Sequence, residues 1–108
     1  MLELPAAIAR YFDAQNAHDP DAAAACFEDD GTVHDESRTH VGREAIRAWQ
    51  AGPVAGYEVT VEPLEVSREG GATIVKATVS GKFPGSPIVL SHRFELAGAD
   101  RIRRLEIG

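Results

Sequence analysis

A chain of 108 residues, 44% hydrophobic and 26% charged, can bury one core without disulfides or a structural metal and is too short for two, which predicts a single domain over residues 1–108. Those proportions are ordinary for a folded protein and argue against disorder. The net charge of -6, from 11 Lys and Arg against 17 Asp and Glu, argues against a nucleic-acid partner, which calls for a surplus of basic side chains.

Cys26 is the only cysteine, so no disulfide can form within the chain and no Cys-based metal spacing exists. The four histidines show no His-x-x-x-His or related spacing, and neither a metal nor a cofactor is expected. Met1-Leu2-Glu3-Leu4-Pro5 lacks a basic start and a long apolar run, and no stretch approaches the ~20 apolar residues of a membrane span. A cytoplasmic location and no membrane partner are the expectations.

Leu4, Ile8, Tyr11, Phe12 and Gln15 recur at helical spacing behind Pro5, predicting a first helix with an aromatic pair on its buried stripe. Asp19-Pro20 reads as an N-cap followed by proline at the first helical position, opening a second helix that runs to about Phe27. Asp29-Asp30-Gly31 then supplies a turn. In the short strand Thr32 to Asp35, Val33 and Asp35 share one face, so an Asp follows a core valine inward. Glu36 to His40 reads as a loop. A third helix after Gly42 puts Ala45, Ile46 and Trp49 on one face, and Gly52-Pro53 ends it.

From Tyr57 the period becomes two. Tyr57, Val59 and Val61 align, and Pro63 shifts the apolar phase to Leu64 and Val66, as a bulge or edge position would. Glu69-Gly70-Gly71 signals a hairpin into Val75, Ala77, Val79 and Phe83. After Pro84-Gly85-Ser86-Pro87, the stripe Ile88, Leu90, His92, Phe94 and Leu96 carries a histidine among apolar residues. Ala97 to Asp100 turns the chain into a last strand, Arg101 to Ile107. Helix, helix, short strand, helix and four strands in a meander make an α+β arrangement, with helices on one face of a curved antiparallel sheet.

Arg10-Tyr11, Asn16-Ala17-His18-Asp19, the run from Phe27 to Asp35, and Val41-Gly42-Arg43-Glu44-Ala45-Ile46 carry a resemblance. With them the chain resembles the nuclear-transport-factor-2-like superfamily, and within it the SnoaL-like and ketosteroid-isomerase-like proteins, over essentially its whole length. The resemblance implies a cone of three N-terminal helices on a curved antiparallel sheet, a pocket for a small apolar or aromatic organic molecule, and a homodimer through the outer sheet face, where Val89 points. In the isomerases a tyrosine on the first helix and an acid late in the sheet hold the oxyanion, and an aspartate after the short first strand is the base. By resemblance Tyr11 falls on that tyrosine and Asp35 on the base. His92 stands where the second acid would be, and Gln50 where a supporting tyrosine often sits, so a typical steroid isomerase is not implied.

An acid facing apolar walls has its charged form disfavoured and becomes a better proton acceptor near neutrality, which suits Asp35 to general-base chemistry. His92 is either a core histidine or a donor facing Asp35 across the cavity, and Tyr11 either packs or donates to a developing enolate oxygen. Phe12, Trp49, Tyr57 and Phe94 are candidate pocket walls. His18, His34 and His40 are expected on the solvent side, and Cys26 as a small buried hydrophobe. Three functions remain open: a cofactor-free isomerase or cyclase with Asp35 as base and Tyr11 and His92 as donors, a non-catalytic ligand-binding or dimerisation module, and a protein-interaction subunit.

Overall fold

The computed structural model describes residues 2–98 and 100–108; Met1, and Ala99 in the turn expected before the last strand, lie outside the described residues. The chain runs α1 (Ala6–Asn16), α2 (Pro20–Ala25), β1 (Phe27–Asp35), β2 (Arg38–Val41), α3 (Arg43–Trp49), a π-helical turn (Gln50–Val54), β3 (Thr60–Glu69), β4 (Ala72–Ser80), β5 (Ile88–Ala97) and β6 (Arg101–Ile107). Pro5 precedes the first turn of α1, where its missing N–H is not needed. The Asp19 carboxylate accepts from the Ala22 N–H at 3.1 Å, capping α2. Gly42 enters α3 at φ +87°, a conformation that an L side chain resists.

The strand expected from Tyr57 starts at Thr60, the one expected to reach Phe83 ends at Ser80, and three further elements differ more from the sequence reading. β1 starts at Phe27, five residues before the expected Thr32, and the register shift between Phe27 and Thr32 absorbs Asp29-Asp30-Gly31 as an irregularity within the strand. The segment expected as a loop after Asp35 contains β2, a short edge strand antiparallel to β1, with Val41 opposite Thr32 and Arg38 opposite Asp35. Gly52-Pro53 does not stop the third helix; its last turn widens to π geometry with Pro53 inside. The Pro53 carbonyl still accepts from the Tyr57 N–H at 3.1 Å, so the chain stays helical beyond a residue that has no N–H to donate.

The six strands form one sheet in the order β2-β1-β6-β5-β4-β3. Every neighbouring pair is antiparallel except β1 and β6, which run parallel with Val33 opposite Leu105. Pro63 lies on the edge strand β3, where the ladder shifts between Pro63 and Glu65, the bulge its phase change predicts. The helices cover one face of the sheet. Tyr11 and Ile8 of α1, Ile46 of α3, and Phe27, Val33, Val75, Phe94, Ile102 and Leu105 of the sheet are fully buried there. Each such burial stabilises the fold by ~1.5–3 kcal/mol before entropy is subtracted.

The end of α1 is fixed by Asn16, whose amide donates to the Val61 carbonyl at 2.8 Å and whose Oδ1 accepts from the Val61 N–H at 2.7 Å. This side chain pairs with the edge of β3 as a strand would, and so locks the helix that carries Gln15 inward. On the opposite sheet face Arg93 lies against Glu106, and Glu95 against Arg104, as cross-strand pairs. Arg93 bridges to Glu106 across the strands at 3.6 Å, and within each strand Arg93 meets Glu95 at 2.8 Å and Arg104 meets Glu106 at 3.1 Å; these half-exposed ion pairs are each worth ~0–1 kcal/mol.

Candidate functional site

A cavity of about 190 Å³ opens between the inner sheet face, the end of α1 and the π-helical turn. A cavity of ~150 Å³ holds benzene, so the enclosed part of this one takes a single substituted ring. Val54, Val61, Val79, Leu90 and Ile107 give it apolar walls, and Asp35, Glu36, His92 and Gln15 are polar or charged members of its lining.

Asp35 reaches the cavity because β1 alternates: Val33 is fully buried, and two residues later the carboxylate emerges half-buried at the strand end. Burial raises its pKa, and the neighbouring charge of Glu36 adds to this; His40, the Glu36 backbone N–H and His34 oppose it. Among the described residues Asp35 takes part in no ion pair. A desolvated carboxylate without a cationic partner is a stronger base than an exposed one.

His92, on β5 opposite Val75, is 2% exposed. Burial lowers its pKa to about 4, against a smaller opposing effect of the Leu90 and Val75 backbone, so the ring is neutral at physiological pH. Phe12 meets it edge-on at 5.5 Å, and Phe94 stacks near-parallel at 6.4 Å. Phe12 and Phe94 are thus packed behind His92 and are not among the described residues that line the cavity, whereas Trp49 and Tyr57 line it directly.

Tyr11 is fully buried and also outside the lining. Its hydroxyl accepts from Gln50 Nε2 at 3.1 Å, and burial, reinforced by the Asp35 charge, holds the phenol protonated. Asp35 and His92 are therefore brought to one cavity, and Tyr11 stands behind it with Gln50 as its partner.

Two features escaped the sequence reading. Gln15 is 5% exposed and lines the cavity; it sits one turn after Tyr11 on the same helical stripe, the signal that could have marked it. His40, expected on the solvent side, is half-buried and stacks on Trp49 with ring centroids 5.5 Å apart, and it lowers the pKa of Asp35. His34 and His18 are engaged near the surface, with His34 Nδ1 2.9 Å from the Thr39 hydroxyl and His18 Nε2 3.2 Å from the Val59 carbonyl. The Cys26 thiol donates to the Ala22 carbonyl at 3.4 Å, and burial raises its pKa, which leaves it a poor nucleophile. No group of three or more His, Cys, Asp or Glu among the described residues is arranged to hold a metal.

Three helices over a curved six-stranded sheet, with an acid-bearing cavity on the covered face, define the nuclear-transport-factor-2-like class of α+β cones. More narrowly, the SnoaL-like domain profile matches residues 8–105, and the chain belongs to that family. A crystal structure of a candidate polyketide cyclase from Sinorhizobium meliloti is 40% identical, covering 97% of this chain and 95% of that one with a TM-score of 0.90. The epoxide hydrolase/cyclase-like enzyme SalBIII, studied for pyran ring formation in the polyether salinomycin, is 25% identical over 94% of this chain and 85% of its own, with a TM-score of 0.80. A protein of ketosteroid isomerase-like fold from Catenulispora acidiphila, solved with trimethylamine, is 23% identical over 98% and 86% of the two chains, TM-score 0.83, and speaks to the fold alone. No curated protein matches the chain significantly. No helix among the described residues is long and apolar enough to cross a membrane.

Proposed function

We propose that the protein binds a small organic molecule in this cavity and acts on it as a cofactor-free isomerase or cyclase, with Asp35 as general base. The observation that carries this reading is that an unpaired, desolvated carboxylate and a neutral buried imidazole line one apolar-walled space. Asp35 takes a proton from a carbon beside a carbonyl; in isomerisation it returns that proton to another carbon of the enolate, and in cyclisation the enolate carbon attacks a second carbonyl of the same molecule, whose oxygen takes up the proton from Asp35 as the ring closes. His92 donates a hydrogen bond to the oxygen on which charge develops. Tyr11, already receiving Gln50, acts behind His92 as a positioning residue, with Phe12 and Phe94 fixing the imidazole and Trp49 and Tyr57 forming wall and mouth. The likeness to a candidate polyketide cyclase and to a cyclase-like enzyme supports ring chemistry on a carbonyl compound.

The test is exchange of α-protons for deuterium in a panel of small enolisable ketones, followed by NMR. The wild type is expected to accelerate exchange, and Asp35→Asn to lose ~10²–10⁴-fold while its urea midpoint is kept or raised. Equal losses of stability and exchange in that variant would make Asp35 structural.

One observation favours a second reading. His92 stands where the isomerases place an acid, and a neutral imidazole is a weaker electrophile than a neutral carboxyl group. As a binding module the protein would hold the ketones with no exchange above buffer in either variant. In both readings we propose a homodimer through the outer sheet face, where Val89 is 55% exposed beside the charged ladder; sedimentation equilibrium with and without Val89→Asp tests it.

A further inference from the structure

Two polar atoms closed off just behind the cavity wall have no hydrogen-bond partner among the described residues: Gln15 Oε1 and His92 Nδ1. Both belong to side chains that are 5% exposed or less, and both side chains line the cavity. Leaving a buried polar atom unpaired costs ~1–3 kcal/mol, and a folded chain tolerates few such atoms. The surrounding structure shows that satisfying a side chain here is within reach of the sequence: Gln50, equally buried, is paired with Tyr11, and Asn16, next to Gln15, makes two bonds to Val61. Gln15 is left out of both arrangements.

A glutamine amide and a neutral imidazole are each donor at one end and acceptor at the other. The last torsion of a glutamine is soft, so a small turn presents either end of the amide to the cavity. The group that matches both is one that itself donates and accepts, a hydroxyl or an enol. A ketone oxygen accepts only, and a hydrocarbon does neither. Apart from the carboxylates of Asp35 and Glu36 the remaining wall is mostly apolar, and the enclosed volume admits one substituted ring.

We infer that Gln15, together with His92, is the specificity-determining element of the cavity, selecting carbonyl compounds of single-ring size that bear a hydroxyl or enol group at the buried end. The inference rests on the cavity being a ligand site, as proposed above, but not on Asp35 being a base.

The experiment compares two probes of nearly equal size and shape, 4-hydroxyacetophenone and 4-methylacetophenone, by calorimetry against the wild type and Gln15→Met. The wild type is expected to bind the hydroxyl probe about 10-fold or more tighter than the methyl probe. Gln15→Met is expected to abolish that preference by weakening the hydroxyl probe alone. As a measurement that needs no variant, the Gln15 side-chain amide resonances of the wild type should shift with the hydroxyl probe and not with the methyl probe. Equal affinities in the wild type, a preference that survives in a folded Gln15→Met, or unmoved Gln15 resonances each overturn the inference while leaving the cavity a ligand site. Binding of neither probe overturns both. A hydroxyl preference in a protein whose Asp35→Asn exchange test fails supports Gln15 and removes only the base.

Discussion

Acidification should destabilise this protein through His92 before most carboxylates are protonated. In the unfolded chain the imidazole takes up a proton below its ordinary 6.5, whereas in the fold it does so only below about 4. Between those values the unfolded state holds more protons, so native stability is fully present above 6.5 and is lost as the pH falls toward 4. Each tenfold difference in proton affinity is worth about 1.4 kcal/mol, and the gap therefore amounts to ~3 kcal/mol, a large share of the ~5–15 kcal/mol of a domain this size. Asp35 works in the opposite direction, since its raised pKa lets the native state take up a proton first. The two are separated by comparing the wild type with His92→Leu in urea titrations at intervals from about pH 7 to about pH 4. With ~1–3 kcal/mol per molar urea, the wild-type midpoint should fall relative to the variant by ~1 M or more across that range. Parallel curves would refute the argument, because they would mean that His92 is protonated in the fold as readily as out of it.

Tyr11→Phe should cost ~1–3 kcal/mol by urea unfolding, since it strands the buried Gln50 amide, and Tyr11→Phe with Gln50→Leu should recover part of that loss; a fully additive double variant would show that the 3.1 Å contact contributes nothing. Asn16→Ala removes both bonds to Val61 and should raise hydrogen exchange of the Val61 amide about 10-fold or more, with a stability loss of ~1–2 kcal/mol; unchanged exchange would remove Asn16 as the anchor of α1.

The parts of the fold that showed in the sequence are those whose side chains sort between core and solvent. α1 declares itself by Ile8, Tyr11 and Phe12, α2 by the Asp19-Pro20 cap, and β4 and β5 by the alternation of Val75, Ala77 and Val79 with Lys76 and of His92 and Phe94 with Arg93. β2 has no such signature. Its residues Arg38, Thr39 and Val41 are exposed, and it exists because its backbone pairs with β1 at the sheet edge, which hydrophobic pattern does not encode. β1 was shortened in the reading because Asp29-Asp30-Gly31 has the chemistry of a turn, while the structure makes it a strand irregularity in which Gly31 sits tight against Phe27. At the site, the parity of Asp35 with Val33 was enough to direct the acid toward the cavity. Gln15 was visible only as one more position on a helical stripe, because spacing says that a side chain faces inward and not whether its polar atoms find partners there.

The parallel contact of β1 with β6 has a consequence in time. It joins Thr32 to Arg104, 72 positions along the chain (32 against 104), and it is also what bridges β1 to β5. Asp35 sits at the end of β1 and His92 on β5, so within the sheet β6 is the strand that joins the two. Contacts that span most of a sequence close late and slowly. The helices and the β3–β4–β5 meander are built from near neighbours, whereas the sheet contact that places the acid beside the imidazole is among the most distant in sequence, so formation of the site is expected to be slower than formation of the meander.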